Sequence, residues 1–121
     1  MTTREAVAAY YDAWRTKQGD FTNAPLASDF IFTGPVASFE NAEGYRAMAR
    51  EAGAAITSFS VRRQFVNRDT MCSIIDWEMA IAGVGKMTSA ELLEVRDGAI
   101  VRGELIYDGE PLRRAMAQSD A

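Results

Sequence analysis

The side chains that could do chemistry in this chain are few, and most of them are carboxylates and tyrosines. The sequence has 121 residues, no histidine and one cysteine, Cys72. An internal disulfide, a zinc site that uses histidine and any catalytic triad or dyad based on imidazole are therefore excluded. Cys72 has no histidine to activate it, which favours a small apolar residue over a nucleophile.

Two tyrosines, Tyr11 and Tyr107, are the first candidate catalytic residues. Either hydroxyl could point into an apolar cavity, where it would orient a carbonyl group or act as a weak acid. The alternative is that both are ordinary core aromatics whose hydroxyls have hydrogen-bond partners.

Three acidic residues form the second candidate group. If the strands pair as their turns predict, Asp76, Glu91 and Glu104 lie in a row across neighbouring strands about 4.8 Å apart. Such a row could bind a hard cation or hold one carboxyl group with a raised pKa. We favour the alternative, in which the row lies on the outer face of the sheet and Arg62 and Arg102 balance its charge.

Four antiparallel strands within residues 56–108 are predicted to position these side chains. Asp97-Gly98 is typical of a two-residue hairpin turn, which pairs Leu92 with Gly103. A four-residue turn before Lys86 and a three-residue turn at residues 67–69 set the other registers. Because side chains alternate along a strand, one face is almost wholly apolar. The predicted inner face comprises Phe59, Val61, Ile75, Trp77, Met79, Ile81, Lys86, Thr88, Ala90, Leu92, Gly103, Leu105 and Tyr107.

Helices are predicted to cover this inner face. Thr2 and Glu5 have the spacing of a capping box, and the helix they begin should stop by Gly19. Asn41 is expected to cap a second helix that ends at Gly53. A strand over residues 29–33 precedes it, and a short last helix capped by Asp108 follows the sheet.

The layout predicts a single α+β domain over residues 1–121, with a curved sheet wrapped around helices and a pocket between them. An apolar, ring-containing molecule is the expected ligand. The predicted lining residues are Trp14, Phe30, Phe32, Phe59, Trp77, Met79, Leu92, Leu105 and Tyr107.

Charge and composition limit the partners. Lys and Arg total 13 against 17 for Asp and Glu, and the sequence pI is about 4.8. With no basic run, nucleic acid is not expected as a partner. No signal peptide or membrane span is expected either, which predicts a cytoplasmic protein. We expect no cofactor and no metal, and we expect a homodimer through the outer sheet face, where Ile74, Leu93 and Ile106 would supply contact area.

The order of elements resembles the SnoaL-like branch of the nuclear transport factor 2-like superfamily. The residues that carry the resemblance are YYDAW at 10–14, LASDFIFTGP at 26–35, NAEGYRAMARE at 41–51 and VRDGAIVRGELIYD at 95–108. The resemblance implies a cone-shaped α+β barrel with an apolar pocket, and frequent homodimers. Members include ketosteroid isomerases, polyketide cyclases, limonene epoxide hydrolases, scytalone dehydratases and many non-catalytic modules, so the fold alone does not give the function.

The resemblance also implies that the usual catalytic aspartates are missing. The general base of the isomerases corresponds to Gly34, and their second aspartate corresponds to Leu92. The aspartate of the cyclases and epoxide hydrolases corresponds to Leu105. The aromatic residues of the isomerase pocket have counterparts in Tyr107 and Tyr11.

Three hypotheses follow. The favoured one is a protein that binds a polycyclic, terpenoid-like or polyketide-like molecule without chemistry. The second is a cyclase, isomerase or hydratase in which Tyr11 and Tyr107 polarise a carbonyl group. The third is a non-catalytic dimerisation module, which would require side chains to fill the cavity.

Overall fold

The computed structural model describes residues 1–119, which form three helices and six strands. The α+β class and the four-strand meander are confirmed. The elements are α1 (Thr3–Arg15), β1 (Leu26–Thr33), β2 (Ser38–Phe39), α2 (Ala42–Gly53), β3 (Ile56–Asn67), β4 (Thr70–Met79), β5 (Gly85–Arg96), β6 (Ala99–Ile106) and α3 (Glu110–Ser119).

The strands form one curved, unclosed sheet in the order β2-β1-β6-β5-β4-β3. β1 runs parallel to β6, whereas the other neighbouring pairs are antiparallel. β1 starts at Leu26, three residues earlier than predicted. α1 contacts β3, β4, β5 and β6, and α2 contacts β1 and β2, so both helices lie on the same face of the sheet.

The predicted helix caps are confirmed. The Thr2 hydroxyl accepts a hydrogen bond from the Glu5 N–H at 3.1 Å, and the Glu5 carboxylate accepts one from the Thr2 N–H at 2.9 Å. Asn41 Oδ1 accepts from the Gly44 N–H at 2.8 Å. Asp108 Oδ1 accepts from the first N–H of α3 at 3.1 Å. These side chains satisfy backbone donors that a helix leaves free at its N-terminus.

The β3–β4 hairpin has the predicted pairing at Phe59 and Val61, although its turn differs from the prediction. Its turn has two residues, 68–69, instead of three. A bulge between Val61 and Arg63 compensates for the missing residue, so Phe59 still pairs with Trp77.

The register of the β5–β6 hairpin differs from the prediction. The turn at residues 97–98 is the predicted one, and Val95 pairs with Ile100. The next pair, however, is Glu94 with Arg102, because a β-bulge leaves one extra residue on β6. Beyond the bulge every pairing is shifted by one position.

The β4–β5 register differs as well. The predicted turn placed four residues between Ile81 and Lys86, but Met79 pairs with Gly85 and the connection is the five-residue segment 80–84. The pairing therefore moves by three positions. An odd shift turns each side chain of β5 to the opposite face of the sheet.

The predicted phase of β5 is consequently wrong. Leu93 and Glu91 are buried on the inner face, with 0% and 3% of their surfaces exposed. Thr88, Ala90 and Leu92, which were predicted to face inward, lie on the other side. The predicted row of Asp76, Glu91 and Glu104 does not form, and neither does an outer apolar contact at Leu93.

The core is rich in aromatic rings that gather around Tyr45. Its ring centroid lies 4.9 Å from that of Phe32 and 5.2 Å from that of Phe30. Edge-to-face and tilted arrangements of this kind are favourable for aromatic pairs. The other rings within 6.4 Å of Tyr45 belong to Tyr10, Trp14, Phe21 and Phe39.

Two glycines bring the end of α1 and the end of α2 close together. α1 ends at Arg15, and the chain then passes the last turn of α2 at Gly19. A Cβ atom on Gly19 would overlap the carbonyl oxygen of Ala49, and one on Gly53 would overlap the carbonyl oxygen of Gln18. Gly19 also has a φ of +85°, which L-residues rarely adopt.

We expect Gly19→Ala to destabilise the protein much more than Gly83→Ala. The two glycines share a positive φ, 85° and 87°, but no atom lies within 4 Å of a Cβ on Gly83. Gly83→Ala should therefore cost only the backbone strain, about 1–2 kcal/mol, and Gly19→Ala the same strain plus a steric clash. Urea denaturation measures both values. Equal losses of unfolding free energy would show that the contact does not constrain the helices.

Candidate functional site

A partly open cavity of about 130 Å³ lies between the inner face of the sheet and the helices. Its wall is almost entirely apolar. The acidic residue among those that line it is Glu91. The cavity is lined by Trp14, Phe32, Gly34, Val36, Ala37, Tyr45, Met48, Ala52, Ile56, Phe59, Ile75, Trp77, Met79, Glu91, Leu105, Tyr107 and Leu112.

Most of the residues predicted to line a pocket do line this cavity: Trp14, Phe32, Phe59, Trp77, Met79, Leu105 and Tyr107. Their role toward a ligand remains a prediction. Leu92 was wrongly placed, because the β5 register turns it away from the cavity, where it pairs with Cys72 and Glu104.

Phe30 and Tyr11 lie in the core instead of the cavity wall. Phe30 is fully buried against Tyr45. Tyr11 is 4% exposed and packs on Phe59, with ring centroids 5.8 Å apart. Its hydroxyl has no hydrogen-bond partner of acceptable geometry within residues 1–119.

Glu91 is the most unusual group in the cavity wall. β5 places its side chain under the helices, where water cannot solvate the carboxylate, and this burial raises its pKa to about 7. The Tyr10 hydroxyl donates a hydrogen bond to Glu91 Oε2 at 3.0 Å. This bond, and the nearby Tyr11 hydroxyl, favour the ionised form and so limit the rise. Glu91 can therefore gain or lose a proton near neutral pH.

A chain of hydrogen bonds connects Glu91 to Tyr45 and Trp14, which also line the cavity. Tyr10 and Tyr45 are joined by a short hydrogen bond between their hydroxyl oxygens, in which either can be the donor. Trp14 Nε1 donates to the Tyr45 hydroxyl at 3.3 Å. Burial raises the pKa of both tyrosines well above the ordinary value, so both phenols keep their protons.

Tyr107 supplies a second polar group, separate from that chain. Its ring meets the ring of Trp77 edge-on at a centroid distance of 5.6 Å. Partial burial raises the pKa of Tyr107, so this hydroxyl is also protonated near neutral pH. Trp77 Nε1 is engaged elsewhere, since it donates to Ser89 Oγ at 2.6 Å.

Asp76 and Glu94, which lie outside the cavity, belong to surface ion pairs. Arg62 Nε donates to Asp76 Oδ2 at 2.9 Å, and the Thr88 hydroxyl donates to Asp76 Oδ1 at 2.8 Å. Arg102 lies 3.9 Å from Glu94 instead of near Glu104. Residues 1–119 contain no cluster of three or more His, Cys, Asp or Glu side chains that could hold a metal ion.

The helices of the described chain are all too short and too polar to cross a membrane.

Comparison with known proteins agrees with this geometry. A model of the SnoaL-like domain family matches residues 7–103. No curated protein sequence gives a significant match.

Solved structures with the same fold cover nearly the whole chain. An NTF2-like protein of unknown function from Cytophaga hutchinsonii is 23% identical, with a TM-score of 0.80 over 93% of this chain and 96% of that one. An LEH-like epoxide hydrolase from M. tuberculosis is 16% identical, with a TM-score of 0.75 over 95% and 92%. A protein with a ketosteroid isomerase-like fold from Catenulispora acidiphila, in complex with trimethylamine, is 18% identical, with a TM-score of 0.74 over 99% and 95%. At these identities the likeness shows the fold.

Glu91 is the site residue that the sequence analysis missed. A signal for it was present, since Leu93 and Val95 follow it at spacings of two and are both buried. Their alternation with Glu94 and Arg96 favours an inward Glu91 over an inward Leu92, but the predicted turns placed Leu92 inward. The deciding bulge on β6 leaves no strong mark in the sequence.

We expect the buried carboxyl of Glu91 to make stability depend on pH. Its pKa is about 7 in the native state and about 4.5 in an ordinary environment. The native state thus binds the proton of Glu91 more tightly than the unfolded state does. The resulting contribution to the unfolding free energy is complete below pH 4.5 and is lost as pH rises through 7. Relative to Glu91→Gln, the wild-type unfolding free energy should fall by about 3 kcal/mol between pH 4.5 and pH 8.

Urea denaturation across this pH range checks the prediction, with Glu104→Gln as the matched control, because Glu104 is an exposed glutamate on the outer face. The control should follow the wild-type curve. Parallel curves for wild type and Glu91→Gln would contradict a raised pKa at Glu91.

Proposed function

Because this chain belongs to the SnoaL-like domain family, we propose that it is a cofactor-independent enzyme that transfers a proton to a ring-containing molecule held in the cavity. The observation that carries the proposal is the buried carboxyl of Glu91 on an otherwise apolar wall. In the sequence analysis, the lack of an inward carboxyl group favoured a binding protein over an enzyme. The observed register of β5 turns Glu91 inward, so that reason no longer applies.

The chemistry of Glu91 suits a general acid. A carboxyl group with a pKa near 7 holds its proton in a large fraction of molecules at neutral pH and can still release it. Transfer to a ligand oxygen breaks the carboxyl O–H bond, forms a new O–H bond on the ligand and leaves a carboxylate. The hydrogen bond from Tyr10 to Oε2 stabilises that carboxylate.

The activated ligand then has three outcomes that need no oxidant or reductant. A protonated epoxide or carbonyl group can be attacked by water, which is hydration, or by a carbon atom of the same molecule, which is cyclisation. Loss of a proton from the neighbouring carbon gives an enol, and reprotonation elsewhere completes an isomerisation. Tyr107 also lines the cavity, and in this proposal its hydroxyl donates a second hydrogen bond to the ligand.

The size of the cavity favours a smaller ligand than a polycycle. An apolar cavity of about 150 Å³ in another protein holds benzene, and this one measures about 130 Å³. A single ring fits this volume better than fused rings, and because the cavity is partly open, the substituents of a monocyclic terpenoid can extend through the opening.

A binding protein without chemistry is the second candidate. Gly34 and Leu105 line the cavity at two positions where the resemblance implies aspartates in catalytic relatives. In this case Glu91 would serve only to recognise the ligand.

Self-association is a further part of the proposal. Ile31 on β1 and Ile106 on β6 are 40% and 52% exposed on the outer face of the sheet. These residues, with Arg102 and Glu94 nearby, would form the contact between two copies.

We expect Glu91→Gln to lose about 100-fold or more in proton-transfer rate, as is usual for removal of a general acid. Two readouts apply, namely deuterium incorporation beside the carbonyl of carvone in D₂O, followed by NMR, and ring opening of limonene oxide. Glu104→Gln is the matched control and should keep the wild-type rate. Equal rates for wild type and Glu91→Gln, or no rate above buffer, would favour the binding protein.

A further inference from the structure

We propose that the cavity and Arg113 together form a two-part site for a ring-containing molecule that carries a carboxylate. The ring lies in the apolar cavity, and the carboxylate binds the Arg113 guanidinium at the rim. This inference rests on the proposed function in that it names a class of ligand for the same cavity. It does not require turnover.

The first turn of α3 brings Arg113 to the rim. The Arg113 N–H donates to the carbonyl oxygen of Gly109 at 2.9 Å. The side chain turns back toward the same glycine, since a Cβ atom on Gly109 would lie 3.1 Å from Arg113 Nη1 and 3.1 Å from Val36 Cγ1. Val36 lines the cavity, and so does Leu112, the residue before Arg113. The guanidinium of this exposed arginine therefore lies beside the cavity wall.

Tyr107, another residue of the cavity wall, also lies near Arg113. Burial raises the pKa of Tyr107, and the positive charge of Arg113 opposes that rise. A charge has this effect on a phenol only when the two groups are close. Tyr107 and Val36 thus place the guanidinium at the rim from two directions, one at the end of the sheet and one in the loop after β1.

Arg113 has no acidic partner within residues 1–119, because none of the ion pairs there involves it. The next residue differs in this respect, since Arg114 Nη2 donates to Glu110 Oε1 at 2.6 Å. α3 therefore carries two adjacent arginines, of which one is neutralised by its own helix. The other leaves a planar fork of N–H donors for a carboxylate from outside the chain.

The interior of the cavity disfavours a carboxylate. The residues of the described chain that line it include no Lys or Arg, and its wall is almost entirely apolar. A carboxylate is costly to remove from water unless a cation or several donors replace its hydration. Glu91, when ionised, would also repel it. A cyclic acid consequently has one favourable orientation, with its ring inside and its carboxylate at Arg113.

Perillate and perillyl alcohol are suitable probes. They share one monocyclic carbon skeleton and differ in that a carboxylate replaces a neutral hydroxymethyl group. Both tryptophans of the chain line the cavity, so tryptophan fluorescence reports its occupancy. At pH 6.5 a carboxylic acid of ordinary pKa, about 4.3, is ionised, whereas most molecules keep the proton on Glu91, whose pKa is about 7.

We expect Arg113→Gln to weaken perillate binding about 5-fold, the upper end for an exposed ion pair, and to leave perillyl alcohol binding unchanged. Raising the salt concentration from about 20 mM to about 500 mM should remove most of this difference, because salt screens exposed charges. Arg113→Lys should keep part of the affinity, since it retains the charge and loses the guanidinium fork. Fluorescence titrations of the wild type and the variants measure these affinities.

Arg114→Gln is the matched control, because it removes one positive charge at the neighbouring position of the same helix. It should keep the wild-type affinity for both probes. The inference is overturned if perillate fails to bind the wild type or binds Arg113→Gln equally well. It is also overturned by an equal loss in Arg114→Gln, which would indicate a general effect of charge, or by an equal loss of perillyl alcohol binding in Arg113→Gln, which would indicate a structural role.

The two proposals can fail separately. Perillate binding that depends on Arg113, without deuterium incorporation into carvone or opening of limonene oxide, would exclude the enzyme and leave the carboxylate site intact. Turnover of those compounds that depends on Glu91, together with perillate binding to which Arg113 contributes nothing, would do the reverse.

Discussion

The burial of one carboxyl group, that of Glu91, is the constraint on which the interior of this protein depends. An ionised carboxylate is costly to remove from water unless hydrogen bonds replace its hydration. Tyr10 provides such a bond at 3.0 Å, and Tyr45 and Trp14 extend the chain of donors behind it. The aromatic core is thus more than a filler of space, because two of its rings also carry the hydroxyls that solvate the buried acid.

The fold was largely predictable from the sequence because its signals are local and repeated. The capping residues Thr2, Asn41 and Asp108 mark the helix starts, and the alternation of apolar residues marks the strands. Turn residues such as Asp97 and Gly98 fix where the hairpins reverse. The order of these elements was enough to identify the family, which depends on architecture more than on any single side chain.

The content of the cavity was harder to predict because it depends on the parity of the pairing. A bulge of one residue on β6 and a five-residue connection after β4 reverse the faces of β5. Each alternative places one leucine inside, Leu92 or Leu93, and the predicted turns selected Leu92 although the alternation with Glu94 and Arg96 favours Leu93. Where two apolar residues stand at successive positions, as Leu92 and Leu93 do, either can face the cavity. The polar residue beside them, Glu91, then decides the chemistry of the site.

The close approach at Gly19 and Gly53 has a consequence for how the ligand range can change. It leaves no space for a side chain between the ends of α1 and α2, so the spacing of the two helices that carry the tyrosines is fixed. Variation that preserves this spacing can use the part of the wall formed by Val36, Ala37 and Leu112, which come from a loop and the terminal helix. Selection can enlarge or narrow that wall one methyl group at a time while the polar wall stays constant.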